Sequence, residues 1–231
     1  MEKTDVAINE VLVTGATGFK GAWLCSWLIK LGAKVYGLGF SPNNNKKLFY
    51  SLSLHKKIIL KLFDIRDFNK LSKFVKSSRP SIIFHLAGQP IVYESYTKPL
   101  LTFDVNSRGT LNVLEVSKNS KFVRSVVLIT SDKCYENMGY VKRYKEKDRL
   151  GGLDPYSASK ASAELIIKSY TESIFKNKIR CGISSARAGN VIGGGDWSEK
   201  RLVPDCMKKW LLNGVPKIRN PKSTRPWQHV L

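Results

Sequence analysis

Acidic side chains are scarce in this chain. Its 231 residues hold 18 Asp and Glu against 39 Lys and Arg, a formal net charge of +21. Such an excess attracts anions. It does not by itself make a nucleic-acid binder. The lysines are spread through NNNKK, HKKIILK, KRYKEK and MKK, with no basic block carrying interleaved aromatics and no helix-turn-helix or RNA-recognition signature. No nucleic-acid partner is expected, and an anionic small molecule is. Cysteine is scarce too. Cys25, Cys134, Cys181 and Cys206 are scattered, without a CxxC pair or a metal-ligand spacing. Free thiols in a reducing compartment and no metal centre are the expectation. No apolar run reaches the length of a membrane span, and the opening MEKTDVAINEVLV lacks the n-region and h-region of a signal peptide. A cytoplasmic protein without a membrane partner follows as the expectation. Repeats and low-complexity segments are absent as well.

What is present alternates between strand and helix. EVLVTG (10–15), AKVYGLGF (33–40), IILKLFD (58–64), SIIFHLAG (81–88), FVRSVVLITS (122–131) and RCGISSARAGN (180–190) read as strands. FKGAWLCSWLIKLG (19–32), RDFNKLSKFVKSS (66–78), the segment 98–119 and PYSASKASAELIIKSYTESIF (155–175) read as helices, and SPNNNKK (41–47) as a loop. Pro155 suits the first position of its helix. This alternation predicts an α/β fold: a doubly wound, Rossmann-type parallel sheet with right-handed crossovers. Ligands of such sheets lie beyond the carboxyl ends of the strands, and residues 131–133 sit at one of those ends.

Two motifs carry chemistry. In TGATGFKG, Gly15, Gly18 and Gly21 separate the first strand from the first helix. Glycines allow a tight turn and a close backbone approach, and the helix N-terminus offers free N–H groups to a pyrophosphate. The spacing is GxxGxxG rather than GxGxxG. The acid that bonds a ribose 2′-hydroxyl is missing from the end of the second strand, which runs GLGFSPNNNKK. Lys46 or Lys47 could meet a 2′-phosphate instead, so NAD against NADP stays open. Asp64, closing the third strand, can either reach an adenine or cap its own strand end. In YSASK, Tyr156 and Lys160 stand four residues apart on one helix face. An ammonium beside a phenol favours the phenolate, which makes Tyr156 a candidate general base.

These elements in this order resemble the extended short-chain dehydrogenase/reductase family. FHLAGQP (84–90) and VNSRGTLNVLE (105–115) match as well. The resemblance implies that Ser131, Tyr156 and Lys160 carry the redox step. It implies a cofactor site of Gly15, Thr17, Gly18, Phe19, Lys20, Gly21, Asp64, Ile65, Leu86, Ala87, Gln89, Asn106, Tyr156 and Lys160, with NAD as cofactor and NADP open. Asp132 and Lys133, with TSDKCYEN, GGLDPYSASK, SARAGNVIGGGDW and RNPKSTRPWQHVL, narrow the likeness to the nucleotide-sugar 4,6-dehydratases, those acting on CDP-glucose in particular. That reaction oxidises C4, eliminates water across C5 and C6, and returns hydride to C6. Its implied roles are Lys133 as base at C5, in neutral form, and Asp132 as acid at C6, in protonated form.

Asn190, Arg201 and Arg225 match residues that hold the sugar diphosphate. In the family this chain resembles, pairing of two long helices makes dimers usual, so the helices at 98–119 and 155–175 imply a homodimer by that resemblance. The resemblance also divides the chain into a dinucleotide domain over 1–188 and a partial substrate lobe over 189–231, because family members continue past RPWQHVL. Three readings follow: a working CDP-glucose dehydratase serving surface-polysaccharide synthesis, an epimerase or NADP-dependent reductase of the same superfamily, or an impaired remnant that only binds dinucleotide.

Overall fold

A computed structural model describes residues 10–40, 46–137, 139, 143–176, 181–218 and 220–231. Six strands form one parallel sheet: β1 (Glu10–Thr14), β2 (Lys34–Gly39), β3 (Ile59–Leu62), β4 (Ile82–His85), β5 (Ser125–Ile129) and β6 (Gly182–Ala186), in spatial order 3-2-1-4-5-6. The order reverses between β1 and β4, which opens a crevice at their carboxyl ends. The predicted doubly wound sheet is the one found, with strands a few residues shorter than their apolar runs.

Helices cover both faces. Alternation along β1 sends Leu12 to one side and Val11 and Val13 to the other, all fully buried. Leu12 joins Leu38, Ile83, Val126 and Leu128 under α3 (Phe68–Ser78) and α6 (Gly109–Lys118). Val11 and Val13 join Phe19, Ala22, Cys25 and Leu28 of α1 (Phe19–Lys30), with Leu48 and Phe49 of the short α2 (Lys46–Ser51). The predicted helical segment 98–119 is one continuous path with a widened middle: α5 (Pro99–Phe103), a π turn over Asp104–Arg108, then α6. Helix α7 (Pro155–Tyr170) starts at Pro155, as expected, with Asp154 as its cap; the Asp154 carboxylate accepts from Ser157 N–H at 3.0 Å. It runs into a second π turn, Thr171–Phe175.

Beyond β6 the chain crosses the top of the sheet. β7 (Asn190–Ile192) pairs in parallel with β8 (Trp227–His229), and α8 (Leu202–Leu211) lies between them in sequence. The sequence patterns did not signal β7, β8, α2, α8 or the short α4 (Val92–Thr97). Each has ten residues or fewer, too short for apolar periodicity to register. Of the predicted loop over 41–47, residues 46 and 47 open α2 instead, and 41–45, like the opening residues 1–9, lie outside the described residues.

Candidate active site

The glycine loop is packed against its neighbours to the limit. Gly15 has φ +73°, and a Cβ there would meet the backbone of Leu86 and Ala87 at 2.8 Å. A Cβ on Gly21 would fall 2.1 Å from the Gly15 carbonyl oxygen. The Gly18 N–H closes the turn onto that same oxygen at 2.9 Å. Helix α1 therefore starts on Gly18, with no side-chain cap and no acid in its first turn. Its leading N–H groups face the crevice unsatisfied by side chains, the arrangement that accepts an anion. The Lys160 ammonium is the second feature that fits a dinucleotide. It lies 3.4 Å from where a Cβ of Gly88 would stand, yet it makes no hydrogen bond or ion pair among the described residues. Burial and the nearby Lys20 charge lower its pKa to about 8. Burial, then the Arg201 charge, lowers that of Lys20. The crevice thus presents partnerless cations and open backbone donors, and the residues present fit a diphosphate-bearing cofactor.

The end of β2 shows why no ribose acid stands there. A Cβ at Gly39 would meet the Thr17 side chain at 2.6 Å, so the loop rests on the strand where an acid would project. The side chains of Lys46 and Lys47 are outside the described residues. Asp64 is engaged: Arg66 grips its carboxylate through Nη2 at 2.7 Å and Nε at 3.0 Å, and continues to Asp104 at 3.0 Å. Asp64 is thus tied to its own strand end through Arg66 while its side chain stays partly exposed. Ile65 packs its side chain on Gly109. Asn106 is 2 % exposed, and both its amide hydrogens are used within the protein, on the Gln89 carbonyl at 3.2 Å and the Ser159 hydroxyl at 2.9 Å. Its Oδ1 accepts from Gln89 N–H at 2.9 Å. Gln89 in turn donates to Thr102 Oγ1 at 2.9 Å. Both side chains are thus engaged within the protein. They clamp the loop after β4 onto α7, beside the Lys160 ammonium.

At the end of β5, Ser131 caps a short 3-10 turn, Asp132–Cys134, by accepting from Lys133 N–H at 3.2 Å. Ser131, Asp132, Lys133 and Tyr156 all line one cleft of about 1910 Å³, room for more than one ligand. The sequence reading placed these side chains together, and they are together. Their electrostatics differ from it in two ways. Burial pushes the Tyr156 phenol above its ordinary pKa; hydrogen bonding with Ser131 and the Arg201 charge act the other way without cancelling it. Lys160 does not bring the phenol down, because its ammonium sits towards Gly88 and Lys20. Lys133 Nζ lies 3.3 Å from Asp132 Oδ2 in a partly exposed pair, so the two side chains engage each other. Neighbouring Cys134 is inert: burial, with Glu164, raises its thiol to about 12.

Across the cleft stand the predicted substrate residues. Asn190 opens β7, and its N–H donates to the Pro226 carbonyl at 2.9 Å. Arg201 donates one Nη to Asp196 at 2.8 Å, leaving the rest of its fork for a ligand. Arg225 lines the same cleft from the exposed rim. Sequence reasoning passed over Glu164 and Arg187, whose ion pair lies behind the site. The available signal was an acid one helical turn after Lys160 and an arginine closing the sixth strand.

The comparisons agree with this geometry. A model of the GDP-mannose 4,6 dehydratase family matches residues 12–231. A CDP-glucose 4,6-dehydratase of Salmonella typhimurium is 45 % identical over 227 residues, which is 96 % of this chain and 63 % of that protein. The chain thus spans a little under two thirds of that relative's length. The dTDP-glucose 4,6-dehydratase of Bacillus anthracis, solved with NAD, superposes with TM-score 0.79 at 22 % identity, over 96 % of this chain and 67 % of that one. The UDP-glucuronic acid 4-epimerase of Bacillus cereus, solved with UDP-glucuronic acid and NAD, gives 0.82 at 24 %, over 96 % and 69 %. These two likenesses speak for the fold. By the match across nearly its whole length, the chain belongs to the GDP-mannose 4,6 dehydratase family.

Proposed function

We propose that the protein is an NAD-dependent nucleotide-sugar 4,6-dehydratase acting on CDP-glucose. The observation that carries this reading is the adjacency, on one cleft wall, of an acid–base pair (Asp132, Lys133) with the Ser131–Tyr156 hydroxyls. A plain dehydrogenase has no use for that pair. The relative that is 45 % identical supports CDP-glucose as substrate. The bound cofactors of the two solved structures support NAD.

The residues that would hold the cofactor are Gly15, Gly18 and the start of α1 for the diphosphate and Lys160 for the nicotinamide ribose. When bound, NAD accepts a hydride from C4 and later gives one back at C6. Tyr156 takes the C4 hydroxyl proton, with Ser131 sharing the hydrogen bond. Its raised pKa means that it needs a further positive charge beside it, and oxidised nicotinamide carries one. The ketone at C4 acidifies C5. Lys133 then removes the C5 proton and Asp132 protonates the leaving C6 hydroxyl, so water departs. Lys133 would return its proton to C5, and the proton held by Tyr156 would pass to Asp132, which resets the site with no net redox change. Substrate contact must neutralise the Asp132–Lys133 ion pair, which excluding water from the cleft favours. Arg201, Arg225 and Asn190 bind the diphosphate.

A homodimer through α5–α6 and α7 is part of this proposal, supported by the exposed apolar side chains of Leu100, Phe103 and Leu165 on those helices. So are a cytoplasmic location and a role in making deoxysugars for surface polysaccharide. Among the described residues no helix is long and apolar enough to cross a membrane. Incubation with CDP-glucose and NAD, followed by assay for a 4-keto sugar, is the test. Product without added reductant is expected. Net oxidation of NADPH would sink this reading in favour of a reductase.

A further inference from the structure

Glu164 stands on α7 one turn beyond Lys160 and is 3 % exposed. Three side chains from two other elements converge on its carboxylate. The Thr130 hydroxyl donates from the end of β5, the Ser185 hydroxyl from β6 at 3.0 Å, and Arg187 Nη2 at 2.7 Å. Arg187 continues outward. Its Nη1 donates to the Tyr135 hydroxyl at 3.0 Å and to the Glu146 carbonyl at 2.9 Å. Tyr135 stacks on Tyr144 with centroids 4.7 Å apart. Thr130 immediately precedes Ser131–Asp132–Lys133, and Tyr135 immediately follows Cys134. One buried ion pair therefore grips both ends of the segment that carries the acid and the base, and fastens it to the helix that carries Tyr156.

Between those two grips the segment is held by its backbone and by Cys134, which is fully buried against Ala161 of α7 and whose carbonyl accepts from Gly151 N–H at 2.9 Å. Asp132 N–H reaches the Ala188 carbonyl at 3.0 Å, and Cys134 N–H reaches Ser131 within its own turn at 3.1 Å. Buried ion pairs are poor sources of stability, since desolvation offsets most of their attraction. Fixing geometry is a use that survives that objection. We propose that Glu164 and Arg187 are positioning residues for the elimination step, setting where Asp132 and Lys133 stand relative to Tyr156. The proposal rests on the dehydratase reading above.

The test uses Glu164→Gln and Arg187→Lys in the whole chain. Arg187→Lys keeps a cation for Glu164 but loses the fork to Tyr135 and Glu146. With CDP-glucose and NAD, product formation is expected to fall about tenfold or more in Arg187→Lys, as misplacement of reacting groups does. Substrate KM should stay within about twofold, and reduced nicotinamide should accumulate during turnover because oxidation outruns elimination. A fall in rate with no accumulated reduced cofactor, or one that merely tracks loss of folded protein, would overturn the proposal. Should the unaltered protein form no product, the dehydratase reading fails on its own. The positioning claim is then read from amide hydrogen exchange. Faster exchange confined to 131–135 in both variants supports it, and unchanged or uniformly faster exchange rejects it.

Discussion

The two walls of the cleft are built differently. The sheet wall ends in residues whose surroundings are dense: Thr130, Ser131 and Tyr156 are each under a tenth exposed, backed by Glu164 and a fully buried strand core. The opposite wall, from Asn190 onward, is thin. All three residues of β8 are exposed, and α8 buries only Pro204 and Cys206. Leu211, Leu212 and Val215 are open at 66, 78 and 90 %. The groups assigned to bond making sit on the dense wall and the groups assigned to substrate grip on the thin one. Bond making demands placement to within fractions of an ångström, which only a packed scaffold supplies.

Substitutions can break that comparison. The largest effect is expected from the dense wall's chemistry: Tyr156→Phe should lower 4-keto sugar formation by about 10²–10⁴-fold while dinucleotide binding, measured by fluorescence titration, changes little. Next is the dense wall's packing. Leu128→Ala empties a site 1 % exposed and should cost about 2–5 kcal/mol in urea unfolding. Leu212→Ala on the thin wall should cost less than about 0.5 kcal/mol. Equal costs would erase the distinction. Third is the grip. Arg201→Ala should raise KM for CDP-glucose about tenfold or more with a smaller change in kcat, since a charge-assisted contact made in ground and transition states alike is lost.

The smallest effect is a pH signature. Folding holds the Lys160 pKa near 8, well below the value of a free lysine, so the unfolded chain binds more protons between those limits. Stability from this group is therefore lowest below pH 8 and recovers as pH rises through the unfolded value. Lys160→Met should melt a few degrees higher than the unaltered chain near pH 7, by calorimetry, and the gap should close above pH 10. His85 acts at the other end of the scale. Burial, with the Lys160 charge, lowers it to about 3, so it stays neutral in the fold and favours unfolding as pH drops from its ordinary value towards 3.

The sheet was legible because β1, β4 and β5 are short apolar runs between glycine-rich or polar breaks, a pattern with few alternatives. Tyr156, Lys160 and the glycines were legible because spacing on one helix or one turn fixes their relation. What sequence did not show for Asn106 and Gln89 is which way their side chains turn. Their mutual hydrogen bonds, across 17 positions, are invisible until the chain folds. Glu164–Arg187 was missed for the same reason, its members lying 23 residues apart on different elements. Tyr156's pKa was misjudged because a helical spacing of four says nothing about burial, and burial is the larger influence.

The contact between Gly39 and Thr17 bears on any attempt to redesign coenzyme preference. Placing an aspartate at the end of β2 is the obvious route to sharper discrimination between coenzymes with and without a 2′-phosphate. Here the position is already filled from the other side. Gly39→Asp alone would force the Thr17 side chain to shift, and Thr17→Gly with Gly39→Asp frees the space for it. Space beside the end of β2 is thus shared by two positions, and a larger residue at one calls for a smaller residue at the other.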